Sequence, residues 1–388
     1  MIWISRVPED KVASRTRDAD GPLKGLTFAV KDNIDVEGLP TTAGCPAYAY
    51  LPTKSATVVT RLEEAGAVLV GKTNMDQFAT GLVGTRTPYG ACSSVFNDEY
   101  ISGGSSSGSA VVVARELVSF SLGTDTAGSG RVPAAFNGIV GLKPTRGLVS
   151  AFGVVPACRT LDCVSIFTRT CEEARLISRV AYGYDATDPF SIPGTPGDEA
   201  SPWLGPGFRF GCPSQELLEF FGDDAASDLF QQSTLRLEAL GGQRTEIDFK
   251  PFRAAAELLY SGPWVAERYA AIRSFIEQKA ADMDPVVRQI IEGAKRYGAV
   301  DVFQSMYRLS ELRRETEAQW ARMDVLALPT TGTIYKHAEI AADPVRLNTN
   351  LGYYTNFVNL LDLAAIAVPA GLRPNGLPFG ISLIGRVQ

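Results

Sequence analysis

The hydrophobic positions of this chain alternate between short apolar runs, which are typical of buried strands, and stretches with helical spacing. Residues 26–36, LTFAVKDNIDV, begin with an apolar run that ends at Lys31, and residues 67–72, AVLVGK, form a second run. Between them, residues 55–65 have the spacing of an amphipathic helix that Gly66 ends. This alternation indicates a βαβ unit. A further helix is expected to begin in TNMDQFA, directly after it.

Two turns rich in glycine and serine follow, separated by one helix and one strand. The first turn is ISGGSSSGSA, residues 101–110, and the second lies in GTDTAGSG, residues 123–130. The apolar residues between them predict a helix over about 107–115 and a strand over 117–123. Because a single helix–strand unit separates the two turns, both can face the same cavity.

The remaining chain is richest in helical patterns between residues 172 and 323. Candidate helices there cover 172–183, 223–243, 252–260, 265–283 and 303–323, with a strand at 208–212. A buried strand at 324–331 stops at Pro329, and residues 359–385 predict a helix and two strands. The whole pattern predicts an α/β protein with three α/β/α layers, in which helices cover a mixed, mostly internal sheet.

Composition and charge narrow the classes of partner. The chain has 388 residues, of which 45% are hydrophobic and 21% are charged, as is ordinary for a globular protein with a large core. Its formal net charge of −6 gives no attraction to nucleic acid or to an anionic membrane surface. We therefore expect a small-molecule substrate, with no nucleic-acid or membrane partner.

Cysteine and histidine usage disfavours several kinds of site. The six cysteines show no CxxC spacing, which argues against zinc and favours reduced, buried thiols in a cytoplasmic protein. Charged residues interrupt the apolar start of MIWISRVPEDK, so no secretory signal is predicted. The one histidine, His337, lies in GTIYKHAEI and is expected in a solvated loop. A hydrolase with this sequence would need another base.

The glycine–serine loop at 101–110 has three possible uses. A flexible linker is disfavoured because an apolar helix follows directly. The GxxxxGK[ST] and GxGxxG patterns of phosphate-binding loops are absent from it. A serine nucleophile is the third use, and it needs a base, for which Lys31 and Lys72 are the candidates. A lysine acts as a base only where burial keeps its amine neutral.

Five blocks of sequence occur in a characteristic order. They are KDNIDVEGLPTTAG, GKTNMDQFATG, ISGGSSSGSA, GTDTAGSGRVPAAFNGIVGLKPTRGLVS and GLPFGISLIG, and together they span most of the chain. In this order and spacing they resemble the amidase signature family of serine hydrolases. The resemblance implies the amidase signature fold in a single domain, residues 1–388. Its catalytic core would cover about 21–170 and 324–388, and a helical substrate-specificity region would cover about 172–323.

The resemblance also implies the catalytic residues. The Ser-cisSer-Lys triad of the family falls on Lys31 as the base, Ser105 as the bridging serine and Ser129 as the nucleophile. Ser129 would attack an amide carbonyl, Ser105 would relay the proton and neutral Lys31 would accept it. In the family a cis peptide bond precedes the bridging serine, which here is the bond between Gly104 and Ser105.

The turn that carries the nucleophile would also bind the developing negative charge. Successive backbone N–H groups can point at one oxygen and form an oxyanion hole. The resemblance places this hole on Thr126, Ala127, Gly128 and Ser129. Asp125 and Arg131 would hold the turn through hydrogen bonds.

Further stretches resemble the allophanate hydrolases within the family. They are YSGPWVAERYAAIRSF (260–275), GLVGTRTPYGA and NFVNLLDLAAIAVPAG. These enzymes release ammonia from the terminal amide of allophanate, urea-1-carboxylate, and the product then loses carbon dioxide. The resemblance assigns the substrate carboxylate to Arg268 and Tyr260, because a guanidinium offers two parallel hydrogen bonds to a carboxylate. The alternative for Arg268 is a surface ion pair with a neighbouring acid. Main-chain groups at 79–81 are further candidates for the pocket.

The resemblance leaves other substrates open. The alternatives are the glutamine-hydrolysing component of a tRNA-dependent amidotransferase and a generic aliphatic or aryl amidase. No metal and no organic cofactor are implied, and the family commonly forms homodimers. Degradation of urea or of a cyanuric acid ring are both possible pathways. The sequence ends at GRVQ, shortly after the last block, so we expect the C-terminal domain of full-length allophanate hydrolases to be absent.

Overall fold

The computed structural model describes residues 1–193, 205 and 207–386. Its strands are β1 Trp3–Arg6, β2 Thr27–Lys31, β3 Val68–Thr73, β4 Ser93–Ser94, β5 Asn97–Ile101, β6 Phe120–Asp125, β7 Val140–Lys143, β8 Cys163–Thr168, β9 Arg209–Pro213, β10 Gln243–Ile247, β11 Val325–Pro329, β12 Ala364–Leu372 and β13 Pro378–Gly385. Its helices are α1 Glu9–Asp18, α2 Thr57–Glu64, α3 Ser107–Ala114, α4 Val132–Phe136, α5 Cys171–Ala181, α6 Asp224–Ala239, α7 Lys250–Ser261, α8 Val265–Ala271, α9 Arg273–Lys279, α10 Pro285–Glu292, α11 Ala299–Trp320, α12 His337–Ala342, α13 Arg346–Leu351 and α14 Phe357–Leu360. None of these helices combines the length and the apolar character that crossing a membrane requires.

One large mixed sheet contains eleven of the described strands. Their order is β1-β3-β2-β6-β8-β7-β12-β13-β11-β9-β10, and β4 pairs separately with β5. Strand β2 runs parallel to β3 and β6, and β9 runs parallel to β10 and β11. Antiparallel pairs through β8, β7, β12 and β13 join these two parallel groups. The predicted α/β class with a mixed sheet is confirmed.

Helices cover both faces of the central sheet. Successive side chains of a strand point to opposite faces, and in the central strands the side chains on both faces are apolar. Phe28 and Val30 of β2 lie in one hydrophobic cluster with apolar residues of α2 and α5. Ala29, between them, lies in a second cluster with residues of α3 and α4. Each fully buried large apolar side chain stabilises the fold by about 1.5–3 kcal/mol. The sheet is therefore the inner layer of three.

The region 172–323 contributes both helices and sheet edge. Strands β9 and β10 extend the sheet at one end, and α7 packs on α11 and α14. The cluster between these helices includes Phe249, Phe252 and Phe357, and it also includes Ala127. The helical region thus packs directly on the turn that carries the predicted nucleophile.

Two predicted helices differ from the structure. The pattern at 265–283 is divided into α8, α9 and a 3-10 turn, because Ile272 at the break is buried with Ile276 and Phe78 in a separate cluster. The helix expected to begin in TNMDQFA is only a 3-10 turn, Gln77–Ala79, in which Phe78 has a positive φ of 49°. Tertiary packing has overridden the local helical pattern at both places.

His337 also differs from expectation, because it begins α12 and does not lie in a solvated loop. The backbone N–H of Lys336 donates to Glu339 Oε2 at 2.7 Å, which caps this short helix. His337 is half-buried and its Nε2 lies 3.1 Å from Ser93 Oγ. Burial lowers the pKa of its ring.

The cysteines follow the expected pattern with one exception. Cys171 is exposed at the start of α5, and the other five are buried. No disulfide bond joins any of the six, all of which lie in the described part of the chain.

Candidate active site

Lys31 lies at the carboxyl end of β2, in the interior of the protein. Its side chain is completely buried. The Nζ atom lies 2.7 Å from Ser105 Oγ and 2.8 Å from Thr124 Oγ1. A neutral amine in this position can donate one hydrogen bond to Thr124 and accept the hydroxyl proton of Ser105.

Ser105 lies in the glycine-rich loop before α3, and a cis peptide bond links it to Gly104 as predicted. The loop packs so closely that a Cβ atom on Gly104 would lie 2.2 Å from Asp76 Oδ2 and 2.5 Å from the Gly84 nitrogen. Only glycine fits this close approach. Ser105 is fully buried, so its hydroxyl is available only to its immediate neighbours.

Ser129 completes a continuous row of polar atoms. Its Oγ lies 2.9 Å from Ser105 Oγ. Ser105 thus lies between Lys31 and Ser129 and forms a hydrogen bond with each. Both hydroxyls can act as donor and acceptor, so a proton can pass along the row from Ser129 to Lys31. The two glycine–serine turns therefore do face one site, as their spacing predicted.

The environment of Lys31 favours the neutral amine. Burial lowers its pKa from the ordinary value of 10.5 to about 7, against the opposing charges of Asp76, Asp162 and Asp125. The positive charge of Arg268 adds to the lowering. Near neutral pH a large share of the protein therefore holds Lys31 in the form that a base requires.

Lys72, the other candidate base, is engaged elsewhere. Its Nζ donates to Pro40 O at 2.9 Å and to Thr41 Oγ1 at 2.6 Å, and lies 3.4 Å from Asp32 Oδ1. Lys72 and Asp32 are both fully buried, so they form an internal ion pair. Neither serine of the row contacts it, and the geometry favours Lys31.

The turn at 126–129, here called the oxyanion turn, is held by a buried ion pair. Asp125 accepts hydrogen bonds from Arg131 Nε at 2.9 Å and Arg131 Nη2 at 3.0 Å. The same carboxylate accepts from the N–H groups of Gly128 at 2.8 Å and Gly130 at 3.0 Å. Four charge-assisted hydrogen bonds fix the backbone of this turn. Asp125 and Arg131 thus have the supporting position that was expected of them.

The backbone of Gly128 differs in one respect from the expected oxyanion hole. Its N–H is already donated to Asp125, so it is not free to bind a ligand oxygen in this conformation. The N–H groups of Thr126, Ala127 and Ser129 have no acceptor among the described residues. Gly128 is required for another reason, because its φ is +134° and a Cβ atom there would lie 2.4 Å from Thr355 Oγ1.

Arg268 is a buried cation without a carboxylate partner. It is only 2% exposed, and no ion pair found among the described residues involves it. Nη1 donates to Ala79 O at 3.2 Å and Thr80 Oγ1 at 3.0 Å, and Nη2 donates to Tyr260 Oη at 3.2 Å. The structure thus brings together Arg268, Tyr260 and the 79–81 segment, and a surface ion pair for Arg268 is excluded.

The sequence also matches a known protein family. A family model described as Amidase matches residues 8–388. The chain belongs to the amidase family.

Several known proteins are similar to this amidase. It is 47% identical over 394 residues to the urea amidolyase of Saccharomyces cerevisiae, in an alignment that covers 99% of this chain and 21% of that one. A structure of Kluyveromyces lactis allophanate hydrolase has a TM-score of 0.95 at 45% identity, covering 99% of this chain and 64% of that chain. A glutamyl-tRNA(Gln) amidotransferase component from Heliobacterium modesticaldum is 33% identical, covering 95% of this chain and 81% of that one. The amidase thus spans about a fifth of the length of the urea amidolyase.

Three residues of this amidase site did not emerge from sequence reasoning. Thr124 contacts Lys31, and Asp76 accepts hydrogen bonds from the N–H groups of Gly84 and Arg86 at 2.9 Å each. Asp162 accepts the Thr126 hydroxyl at 2.5 Å. Thr124 and Asp76 lie inside two of the quoted blocks, which was the only signal available for them. Asp162 lies outside every block after the loop at 151–161, and only the folded chain brings it to the oxyanion turn.

Proposed function

We propose that this chain is an amide hydrolase with a Ser-cisSer-Lys triad, formed by Ser129, Ser105 and Lys31, and that its preferred substrate is allophanate. The observation that carries the choice of substrate is the buried Arg268 guanidinium, which has no carboxylate partner in the described protein. A buried charge without a counter-ion is costly. A substrate carboxylate offsets that cost, so the site favours a small anionic amide.

The first half of the reaction transfers the acyl group to Ser129. Its Oγ bonds to the carbonyl carbon of the terminal amide while its proton moves to Ser105, whose own proton moves to Lys31. The carbonyl oxygen becomes negatively charged and accepts hydrogen bonds from the free N–H groups of the oxyanion turn. Lys31 then returns a proton through Ser105 to the leaving nitrogen, the C–N bond breaks and ammonia departs.

The second half releases the product. A water molecule donates its proton along the same row to Lys31 and bonds to the acyl carbon, and the ester bond to Ser129 then breaks as the proton returns to its oxygen. The product carries two carboxyl groups on one nitrogen and loses carbon dioxide. No step in this sequence requires a metal or an organic cofactor.

The position of Arg268 supports its role as a carboxylate clamp together with Tyr260. Its hydrogen bonds to Ala79, Thr80 and Tyr260 hold the guanidinium in place. The Nε atom is buried and has no hydrogen-bond partner. Because α7 and α8 carry Tyr260 and Arg268, we propose that the region 172–323 determines substrate specificity.

The relatives support the same choice of substrate. The proteins at 45–47% identity are named urea amidolyase and allophanate hydrolase, whereas the amidotransferase component is 33% identical. Under this proposal the chain acts in nitrogen metabolism, in the degradation of urea or of cyanuric acid.

Ammonia release from three amides tests the proposal. Allophanate, glutamine and malonamide are each incubated with the protein, and Ser129→Ala gives the background rate. We expect the highest kcat/KM with allophanate. A preference for glutamine would identify the amidotransferase activity, and equal rates with malonamide would identify a generic amidase.

We further propose that the protein is a cytoplasmic homodimer. One face of α11 exposes four large apolar side chains at helical spacing, Val300, Phe303, Met306 and Tyr307, which are 49–69% exposed. Contiguous apolar surface of this kind is typical of an interface between subunits. Light scattering should give twice the monomer mass, and Phe303→Glu should give the monomer.

A further inference from the structure

A short loop lies between the oxyanion turn and helix α8, which carries Arg268, and forms hydrogen bonds with both. At one end of this connecting loop, residues 157–162, Asp162 accepts the Thr126 hydroxyl at 2.5 Å through Oδ1. Its Oδ2 accepts the N–H of Ala157 at 2.8 Å, and Oδ1 also accepts the N–H of Cys158 at 3.2 Å. Asp162 therefore joins the loop to the oxyanion turn by hydrogen bonds.

The other side of the connecting loop is held by helix α8. Glu267 Oε2 accepts the N–H of Thr160 at 2.9 Å, and Oε1 accepts the Thr160 hydroxyl. The Cys158 Sγ atom lies 3.5 Å from Trp264 O, at the start of the same helix. Glu267 directly precedes Arg268. The residue that binds the loop is therefore adjacent in the chain to the proposed carboxylate clamp.

The hydrogen bonds of Arg268 do not connect it to the oxyanion turn. They reach Ala79, Thr80 and Tyr260, which fix the guanidinium against a different wall of the site. A link from the clamp to the turn begins with the hydrogen bonds between Glu267 and Thr160, follows the chain from Thr160 to Asp162, and ends with the hydrogen bond from Thr126 to Asp162. Both ends of this link are carboxylates that accept several hydrogen bonds, which are stronger than neutral ones.

We propose that Glu267 is a positioning residue: it sets the distance from the Arg268 guanidinium to the oxyanion turn, and so the length of anionic amide that the site accepts. This inference rests on the proposed function. A substrate held at its carboxylate by Arg268 and at its carbonyl by the turn must match that distance. Misplacement by about 1 Å can cost about a hundredfold in rate.

Amides of different length test the inference. Allophanate and malonamate have one atom between the amide carbonyl carbon and the carboxylate carbon, and succinamate has two. The quantity measured is kcat/KM for the short substrates divided by kcat/KM for succinamate. In Glu267→Ala we expect this ratio to fall at least about tenfold, which corresponds to about 1.4 kcal/mol, and KM for the short substrates to rise more than kcat falls.

Three further variants distinguish positioning from folding. Glu267→Gln keeps one acceptor oxygen for Thr160 and should give an intermediate ratio. Thr160→Val, which removes the hydroxyl donor with little change of volume, should also lower the ratio, and it carries the test where Glu267→Ala does not fold. Glu277→Ala removes an exposed acid from α9 and should keep the wild-type ratio.

The outcomes distinguish a failure of this inference from a failure of the proposed function. A purely structural Glu267 would lower all rates together and leave the ratio unchanged, which would overturn this inference while wild-type allophanate hydrolysis still supports the proposed function. If the wild type hydrolyses malonamate but not allophanate, the ratio of kcat/KM for malonamate to kcat/KM for succinamate is compared between the wild type and Glu267→Ala. An unchanged ratio would then overturn the inference. A wild type with no preference for any carboxylate-bearing amide over malonamide overturns both.

Discussion

Replacing Lys31 with methionine tests two properties of the side chain: its role as the base, and the free-energy cost of burying its ionisable amine. Methionine has a similar length and no charge, so it fills the same space without an ionisable group. The variant should lose amidase activity, because no other base contacts Ser105 among the described residues. It should also show a stability that depends on pH in a different way from that of the wild type.

The size of the effect follows from the pKa of Lys31, which burial lowers from 10.5 to about 7. This gap corresponds to about 5 kcal/mol at 1.36 kcal/mol for each pH unit. The unfolded chain binds a proton on Lys31 up to pH 10.5, whereas the folded chain releases it near pH 7. Between these values the wild type therefore becomes more stable as pH rises. Below pH 7 the amine is protonated in both states, and the folded protein is destabilised by the whole of about 5 kcal/mol.

Urea unfolding of the two proteins, followed by circular dichroism at pH 7.0 and 9.5, measures this cost. The free energy of unfolding of the wild type, relative to Lys31→Met, should rise by about 3 kcal/mol over that interval. Hydrogen bonds lost to Ser105 and Thr124 add a constant to the difference and do not change its slope. Lys54→Met, which replaces an exposed lysine, serves as the control, and its free energy of unfolding should change with pH as that of the wild type does. A difference that stays constant between the two pH values would refute the buried, neutral amine.

Three other predictions concern activity and stability. For allophanate, kcat/KM should rise about tenfold for each pH unit up to about 7 and then level off, because protonated Lys31 cannot accept the proton of Ser105; a rate constant that does not vary from pH 5.5 to 8 would contradict this. Arg268→Lys should raise KM for allophanate at least about tenfold, since lysine keeps the charge but loses the paired donors, whereas the exposed Arg273→Lys should not; equal KM values for the two variants would argue against the clamp. Asp125→Asn should lower the free energy of unfolding by about 3–5 kcal/mol, because Arg131 is left buried without its anion; a loss below about 1 kcal/mol in urea unfolding would show that the pair does not hold the turn.

Local patterns predicted most of the elements because strand and helix spacing are properties of neighbouring residues. The helix expected at 107–115 is α3, and the strand expected at 67–72 is β3, each within one residue. The pattern at 265–283 failed because nothing in its local sequence marks the break at Ile272. That break comes from packing against Phe78, nearly two hundred residues away.

The amino-acid sequence determined which chemistry is possible: one histidine, two lysines at strand ends and two serine-rich turns in a fixed order. Only the tertiary structure decided that Lys31 and not Lys72 contacts the serines and that Gly128 gives its N–H to Asp125. It also decided that Arg268 is buried with no carboxylate of the described residues in ion-pair contact. These properties depend on desolvation and on charges contributed by residues far apart in the chain. Such effects act through space, and no local sequence pattern contains them.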